Sequence, residues 1–421
     1  MSMTDGYSLV HITVDGEYRA PLVASQLFDQ AEWQAKDRGI AAPDKVEAWI
    51  LGAMREYTDA TAQEKLRSLV ERCPNISVRM INGIGRLGYF PMVQLMKIYR
   101  RRLGKKPVIY HCRGESAAQW GLRMRDLFPG DKVVLDVRGY WPAEKLYERG
   151  IEYPEKAIGA DRTLYNTLLD HLTKTISKVD GVTTVSESLR ALLIEKSGAT
   201  AGCAVVPCCV SAVVPGDRRD ELRDSWGVGK DEIVVVYSGT TAAYQHLEDL
   251  TIPFMKALMD ADSRIRPAFF SSQIDKITMM LQNAGLDIER VLLKKFRQDE
   301  VGSALSACDA GILIRKPTLV NRVANPVKIA EYLAAGLPII IEKGVGGVAD
   351  EMFGKGILKA VTLTASDANV SDQVAETLSW LNGGIASNRS VVQDYVRSVY
   401  LWSAAIHVSR ALYQQVLKKH S

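Results

Sequence analysis

The stretch Asn325-Pro326-Val327-Lys328-Ile329-Ala330-Glu331-Tyr332-Leu333-Ala334-Ala335-Gly336-Leu337-Pro338 carries its own boundaries. Asparagine is a favoured N-cap and proline a favoured first helical residue, so Asn325-Pro326 predicts a helix start. Gly336 suits the left-handed position that closes a helix, and Pro338 lies just beyond it. The helix between them is about ten residues, or roughly 15 Å at 1.5 Å per residue. Ala330, Ala334 and Ala335 permit close packing against a sheet. The N-terminus offers free N–H groups and a partial positive charge, which suits an anion such as a diphosphate. Glu331 is out of character among apolar neighbours. It reads either as an ion-pair partner of Lys328, three positions earlier, or as a ligand-binding carboxylate.

Working outward, short apolar runs alternate with helical patterns. The second half predicts strands at Ile233–Tyr237, Pro267–Phe270, Val291–Lys295, Gly311–Ile314 and Pro338–Ile341. Helices fit at Leu247–Met259, Ile274–Ala284, Glu300–Cys308 and Pro326–Ala335. The first half predicts strands at Tyr7–Val14, Val46–Leu51, Ile76–Ile81, Pro107–His111, Lys132–Asp136, Val182–Val185 and Ala204–Val206. Several are apolar on both faces, as parallel strands covered by helices should be. A loop signal at Pro215-Gly216-Asp217 separates the two series. This pattern predicts an α/β chain with two doubly wound sheets. The expected divisions are 1–210, 211–389 and a final helical segment, 390–421, returning to the first lobe. Tyr395, Val399, Trp402, Ile406, Leu412 and Val416 are its expected apolar side.

Composition narrows the class. A chain of 421 residues, 47% hydrophobic and 24% charged, reads as a globular protein of two domains. A net charge of +4 argues against nucleic acid as the main partner. The six cysteines form no C-x-x-C pair, and the histidines do not cluster, so no metal site is expected. No signal peptide or membrane span is visible, which predicts a cytoplasmic protein.

Pro326, Lys328, Glu331, Ala334, Gly336 and Pro338 stand in the P-x-K-x-x-E-x-x-A-x-G-x-P spacing of glycosyltransferase family 4, which the sequence resembles. Thr184-Val185-Ser186-Glu187, Val205-Val206-Pro207 and Tyr237-Ser238-Gly239 are similar to further family segments. The resemblance implies the two-lobed GT-B fold, with two Rossmann-like lobes and the active site in the cleft between them. It implies that Glu331 binds the donor ribose and that Gly346-Gly347 approaches the donor. Ser238, Gly239, Thr240, Arg322, Asn325 and Lys328 complete the expected donor site; among the available cations Arg315, Lys316, Arg322 and Lys328, nearness to the motif ranks Lys328 and Arg322 first. Two family features are missing. Val323 replaces the first of two glutamates, and Thr240-Thr241-Ala242-Ala243 replaces a cationic clamp after the glycine turn.

In the first lobe, Asp136, Arg138 and His111 end predicted strands and are the candidate catalytic residues. They read equally well as ordinary polar loop neighbours. Gly16 loosely resembles the acceptor-side loop. Gly83-Ile84-Gly85-Arg86-Leu87-Gly88 matches a dinucleotide fingerprint, but Phe90-Pro91 places the helix start beyond the third glycine. Met92–Lys106 predicts a basic amphipathic helix, read as a solvated surface or as a contact for anionic membrane.

The resemblance implies a retaining, metal-independent glycosyltransferase of the hexosyltransferase type, without cofactor. Its partners would be a nucleotide-sugar donor and a glycan or lipid-linked acceptor, in surface polysaccharide or glycoconjugate synthesis. The alternatives are a nucleotide-sugar epimerase of the same fold and a catalytically degenerate scaffold.

Overall fold

A computed structural model describes residues 6–53, 59–83, 89–198, 202–364, 369–383 and 389–418. The glycine-rich residues 84–88 lie outside this set.

Val- and Ile-rich runs build two parallel sheets. The first contains β1 (Ser8–Val14), β2 (Lys45–Ala53), β3 (Ser77–Gly83), β4 (Val108–Arg113), β5 (Lys132–Val137), β6 (Gly181–Thr184) and β7 (Cys203–Val205). Its order is β3-β2-β1-β4-β5-β6-β7. The second contains β8 (Ile233–Ser238), β9 (Ile265–Phe270), β10 (Leu292–Lys294), β11 (Ala310–Leu313), β12 (Ile339–Glu342) and β13 (Leu358–Val361). Its order is β10-β9-β8-β11-β12-β13. Each order reverses once, beside β1 in the first sheet and beside β8 in the second. Open α/β sheets take ligands at such a reversal, outside the carboxyl ends of their strands. Central strands such as β1 and β5 are buried along their whole length. This burial is the physical reason their sequences lack polar alternation.

Two compact units result, Met1–Ser211 with Trp402–Ser421, and Ala212–Leu401. The expected final helical segment, 390–421, contains two helices, Arg389–Val399 and Trp402–Lys418. The first belongs to the second unit, where Arg389 Nη1 donates to Ala335 O at 3.0 Å and Gln393 Nε2 to Val214 O at 2.9 Å. The second belongs to the first unit. Trp402 Nε1 donates to Ser25 O at 3.1 Å, and Leu412, Tyr413 and Val416 join the core under β1 and β4.

The basic helix spans Tyr89–Arg102, and Gly104 ends it with φ +92°. Arg100 is not a surface cation. Its Nε and Nη2 hold Asp131 at 2.6 and 2.7 Å, and both side chains are buried. Asp131 also accepts from Val108 N and Tyr110 Oη, so the pair ties the helix end to β4. Arg101, Arg102 and Lys105 remain exposed, with Phe90 at 67% and Ile98 at 44% exposure. No helix among the described residues is long and apolar enough to cross a membrane.

Candidate functional site

In the second unit the helix observed at Val327–Ala334 begins one residue later than expected. Pro326 is its N-cap and no side chain caps it. Asn325 instead donates from Nδ2 to Gly346 O at 3.4 Å, while Gly346 N donates to Asn321 O at 3.0 Å. Gly346 and Gly347 have φ of +85° and +53°, which favour glycine. The helix start and the glycine pair are thereby held side by side.

Lys328 does not pair with Glu331. Its Nζ reaches across to β8, donating to Tyr237 Oη at 3.2 Å and lying 4.7 Å from the centre of the same ring. Tyr237 Oη passes its own proton to Thr240 O at 2.6 Å. The ammonium sits where a side chain at residue 239 would be, so Gly239, at φ +146°, is required twice over. Burial, then Arg315, push the Lys328 amine well below the usual lysine range, against the pull of Glu331. Burial likewise raises the Glu331 carboxyl, with Lys328 opposing it.

The turn after β8 has few donors left. Ser238 N donates to Tyr332 Oη at 2.8 Å, Gly239 N to Phe270 O at 2.9 Å and Thr241 N to Gln273 Oε1 at 2.8 Å. An anion here must be met mainly by side chains. Arg315, just past β11, is buried beside Lys328 electrostatically and donates twice to Gln245 Oε1 at 3.1 and 2.8 Å. Its guanidinium lies 5.3 Å from the centre of the Tyr244 ring. Arg322, ranked above it from sequence, is exposed on the short helix Leu319–Val323. Arg315 reaches the neighbourhood of Lys328 from the end of β11, outside the motif.

The first unit has a cavity of about 430 Å³ at the carboxyl ends of β4 and β5. Asp136 and Arg138 line it, together with Arg113, Glu115 and Glu144. Arg138 Nη1 lies 3.7 Å from Asp136 Oδ1, and its Nη2 donates to Gln26 Oε1 at 3.0 Å and Cys208 Sγ at 3.1 Å. Burial alone would raise the Asp136 carboxyl, but Arg138, His111 and Arg113 hold it well below the usual carboxylate range.

His111 does not line this cavity. Register sets His11 opposite His111, with ring centres 4.8 Å apart. His11 Nε2 meets Gln34 Oε1 at 2.6 Å, Gln34 Nε2 donates to Tyr413 Oη at 3.2 Å, and Tyr413 Oη meets His111 Nδ1 at 2.8 Å. Asp136 lies 3.9 Å from His111 Nε2, beyond hydrogen-bond distance. His111 therefore acts on the cavity only through Asp136. Gly16 lies in a single turn, Asp15–Arg19, directly after β1.

This fold matches solved GT-B glycosyltransferases along nearly its whole length. HepE of Anabaena in complex with UDP superposes with a TM-score of 0.67 at 14% identity, over 97% of this chain and 100% of that one. Sucrose-phosphate synthase from Thermosynechococcus elongatus gives 0.67 at 16%, over 97% and 98%. A glycosyltransferase from Rickettsia africae gives 0.66 at 13%, over 99% and 100%. The chain has the GT-B fold, with two Rossmann-like lobes. No protein-family model matches the sequence, and no curated protein sequence does.

Proposed function

We propose that this protein transfers a sugar from a nucleotide-sugar donor to a carbohydrate-like acceptor. One observation carries the reading: the Lys328 ammonium is held against the Gly239 turn with a neutral phenol as its hydrogen-bond partner. A part-buried cation so placed, one turn before Glu331, is matched to the diphosphate of a nucleotide sugar. HepE of the same fold is solved with UDP-glucose, which supports a nucleotide-sugar ligand.

In this reading Lys328 and Arg315 stabilise the negative charge that grows on the leaving diphosphate, without a metal. Glu331 accepts both ribose hydroxyls. Gly346-Gly347 lets backbone approach the donor. The acceptor occupies the cavity beside Asp136 and Arg138, and transfer proceeds with retention, as the family resemblance implies. The exposed cations Arg101, Arg102 and Lys105, beside Phe90 and Ile98, suit peripheral contact with an anionic membrane that carries the acceptor.

Calorimetric titration with UDP, GDP, ADP and dTDP tests the donor site. One diphosphate should bind well above its nucleoside. Equal affinity for nucleoside and diphosphate, or binding of neither, would remove the reading.

A further inference from the structure

The cavity in the first unit holds charges that its own neighbours leave unmatched. Glu115 is only 9% exposed, yet among the described residues only its own backbone N–H donates to its carboxylate. The Glu144 carboxylate has no hydrogen bond or ion pair among the described residues. Its carboxylate fills the space where a side chain at Gly139 would be, so the glycine seats it at the end of β5. Arg113 Nη1 is buried with no hydrogen-bond partner among the described residues. Of the other cations, Arg138 lies against Asp136, Lys145 pairs with Glu148 at 2.8 Å while opposing the upward push on Glu144, and His171 opposes that on Glu115 from outside the lining. Glu17, also on the wall, accepts from the Thr13 hydroxyl at 3.1 Å and is exposed.

Two largely enclosed carboxylates, Glu115 and Glu144, thus share the cavity with the unpartnered Arg113 Nη1, while Glu17 is exposed. Buried charges in folded proteins are paired, because an unpaired one loses its hydration without compensation. Burial first, then Glu115, push the Glu144 carboxyl up, and burial does the same to Glu115. An acid whose ionisation is hindered by burial and a neighbouring carboxylate is relieved by a cation beside it. An ammonium supplies three donors for such a bridge, whereas a hydroxyl supplies one and leaves the charge uncancelled.

We propose that this cavity binds an amino sugar through its protonated amine, which sits between Glu115 and Glu144 while ring hydroxyl oxygens face Arg113. The proposal rests on the glycosyltransferase reading only in making that amino sugar the acceptor.

The test compares D-glucosamine, D-glucose and N-acetyl-D-glucosamine, which differ at one ring position, by calorimetry or ligand-observed NMR on the full chain at low salt. Glucosamine should bind the wild type at least about tenfold more tightly than either neutral sugar, as expected for hydrogen bonds to charged groups. Glu115→Gln and Glu144→Gln should each remove most of that preference. Binding of the nucleoside diphosphate, in the other unit, should not change. Equal binding of the three sugars, binding of none, or a preference that survives both variants would overturn the proposal. The wild-type comparison needs no variant to fold. A protein that prefers glucosamine but ignores every nucleoside diphosphate keeps the amine site and loses the transferase reading. One that binds a diphosphate without an amine preference does the reverse.

Discussion

The Lys328 ammonium lies 3.2 Å from the Tyr237 hydroxyl and over the face of the same ring. The side chain spans from the helix Val327–Ala334 to the end of β8, turning away from Glu331 on its own helix. Lys328→Met should therefore weaken nucleoside diphosphate binding about tenfold to a hundredfold, the scale of a charged hydrogen bond. Nucleoside binding should hold. Because its amine titrates below the ordinary lysine range, diphosphate affinity should fall with rising pH earlier than for a solvated lysine. Calorimetry across pH reads both effects, and equal losses for nucleoside and diphosphate would show that Lys328 does not meet phosphate.

Glu331 has no ion pair among the described residues. Glu331→Gln keeps shape and helix propensity, so thermal stability should be nearly unchanged. A carboxylate accepts two ribose hydroxyls, whereas an amide offers one acceptor and an unwanted donor. Donor affinity should drop about tenfold or more. A deoxyribose analogue should bind wild type and variant alike. Unchanged donor affinity in the variant would exclude the ribose role.

Arg315 should act with Lys328. Arg315→Gln removes a buried cation and leaves Gln245 without its double donor, so both diphosphate affinity and stability should fall. Arg322→Gln, on an exposed side chain, should change affinity little by comparison. Binding and melting curves of the two variants separate these outcomes.

His11 gives the first unit a pH signature. Burial, then His111, lower its pKa from 6.5 to about 3. The unfolded chain therefore binds the extra proton between those values. Stability from this residue is complete above about pH 6.5 and declines as pH falls toward 3. The slope is at most about 1.4 kcal/mol per pH unit. His11→Asn should flatten the dependence measured by denaturant unfolding between pH 6.5 and pH 4. An unchanged slope would assign it elsewhere.

The basic helix separates structural from surface arginines. Arg101→Gln with Arg102→Gln and Lys105→Gln should weaken binding to anionic vesicles, by roughly 1 kcal/mol per nearby charge. Their stability should be unaffected. Arg100→Gln should instead destabilise by about 3 kcal/mol or more, since it leaves Asp131 buried and unpaired. Vesicle sedimentation and thermal melts distinguish the two sets.

The sequence was most legible where burial is uniform. Strands such as β1 and β5 read almost to the residue because Val, Leu and Ile dominate them, and even their polar members, such as His11, Thr13 and Asp136, are buried. β13 was missed because it has four residues, with Lys359 and Ala360 half-buried at the sheet edge. The helix at Val327–Ala334 announces itself by its flanking Pro326 and Gly336, and Lys328 and Glu331 by their spacing. The nearness of Arg315 to Lys328 is not legible in the sequence because it is spatial, arriving from the end of β11. Arg100 read as a surface charge because its run of arginines is local, whereas Asp131 is brought to it by the fold. Glu144 carries no motif. Its place depends on the missing side chain of Gly139, a packing fact no local pattern encodes.

The central claim is nucleotide-sugar-dependent glycosyl transfer, and product NMR tests it most directly. The protein would be incubated with UDP-, GDP-, ADP- and dTDP-sugars and with glucosamine as acceptor, following the anomeric signal and the released diphosphate. The account predicts that one donor is consumed, its diphosphate released and its sugar joined to the acceptor with retained configuration, and that Lys328→Met abolishes most of this. Isomerisation of the donor without transfer, or no turnover of any nucleotide sugar by a protein that binds its diphosphate, would contradict it.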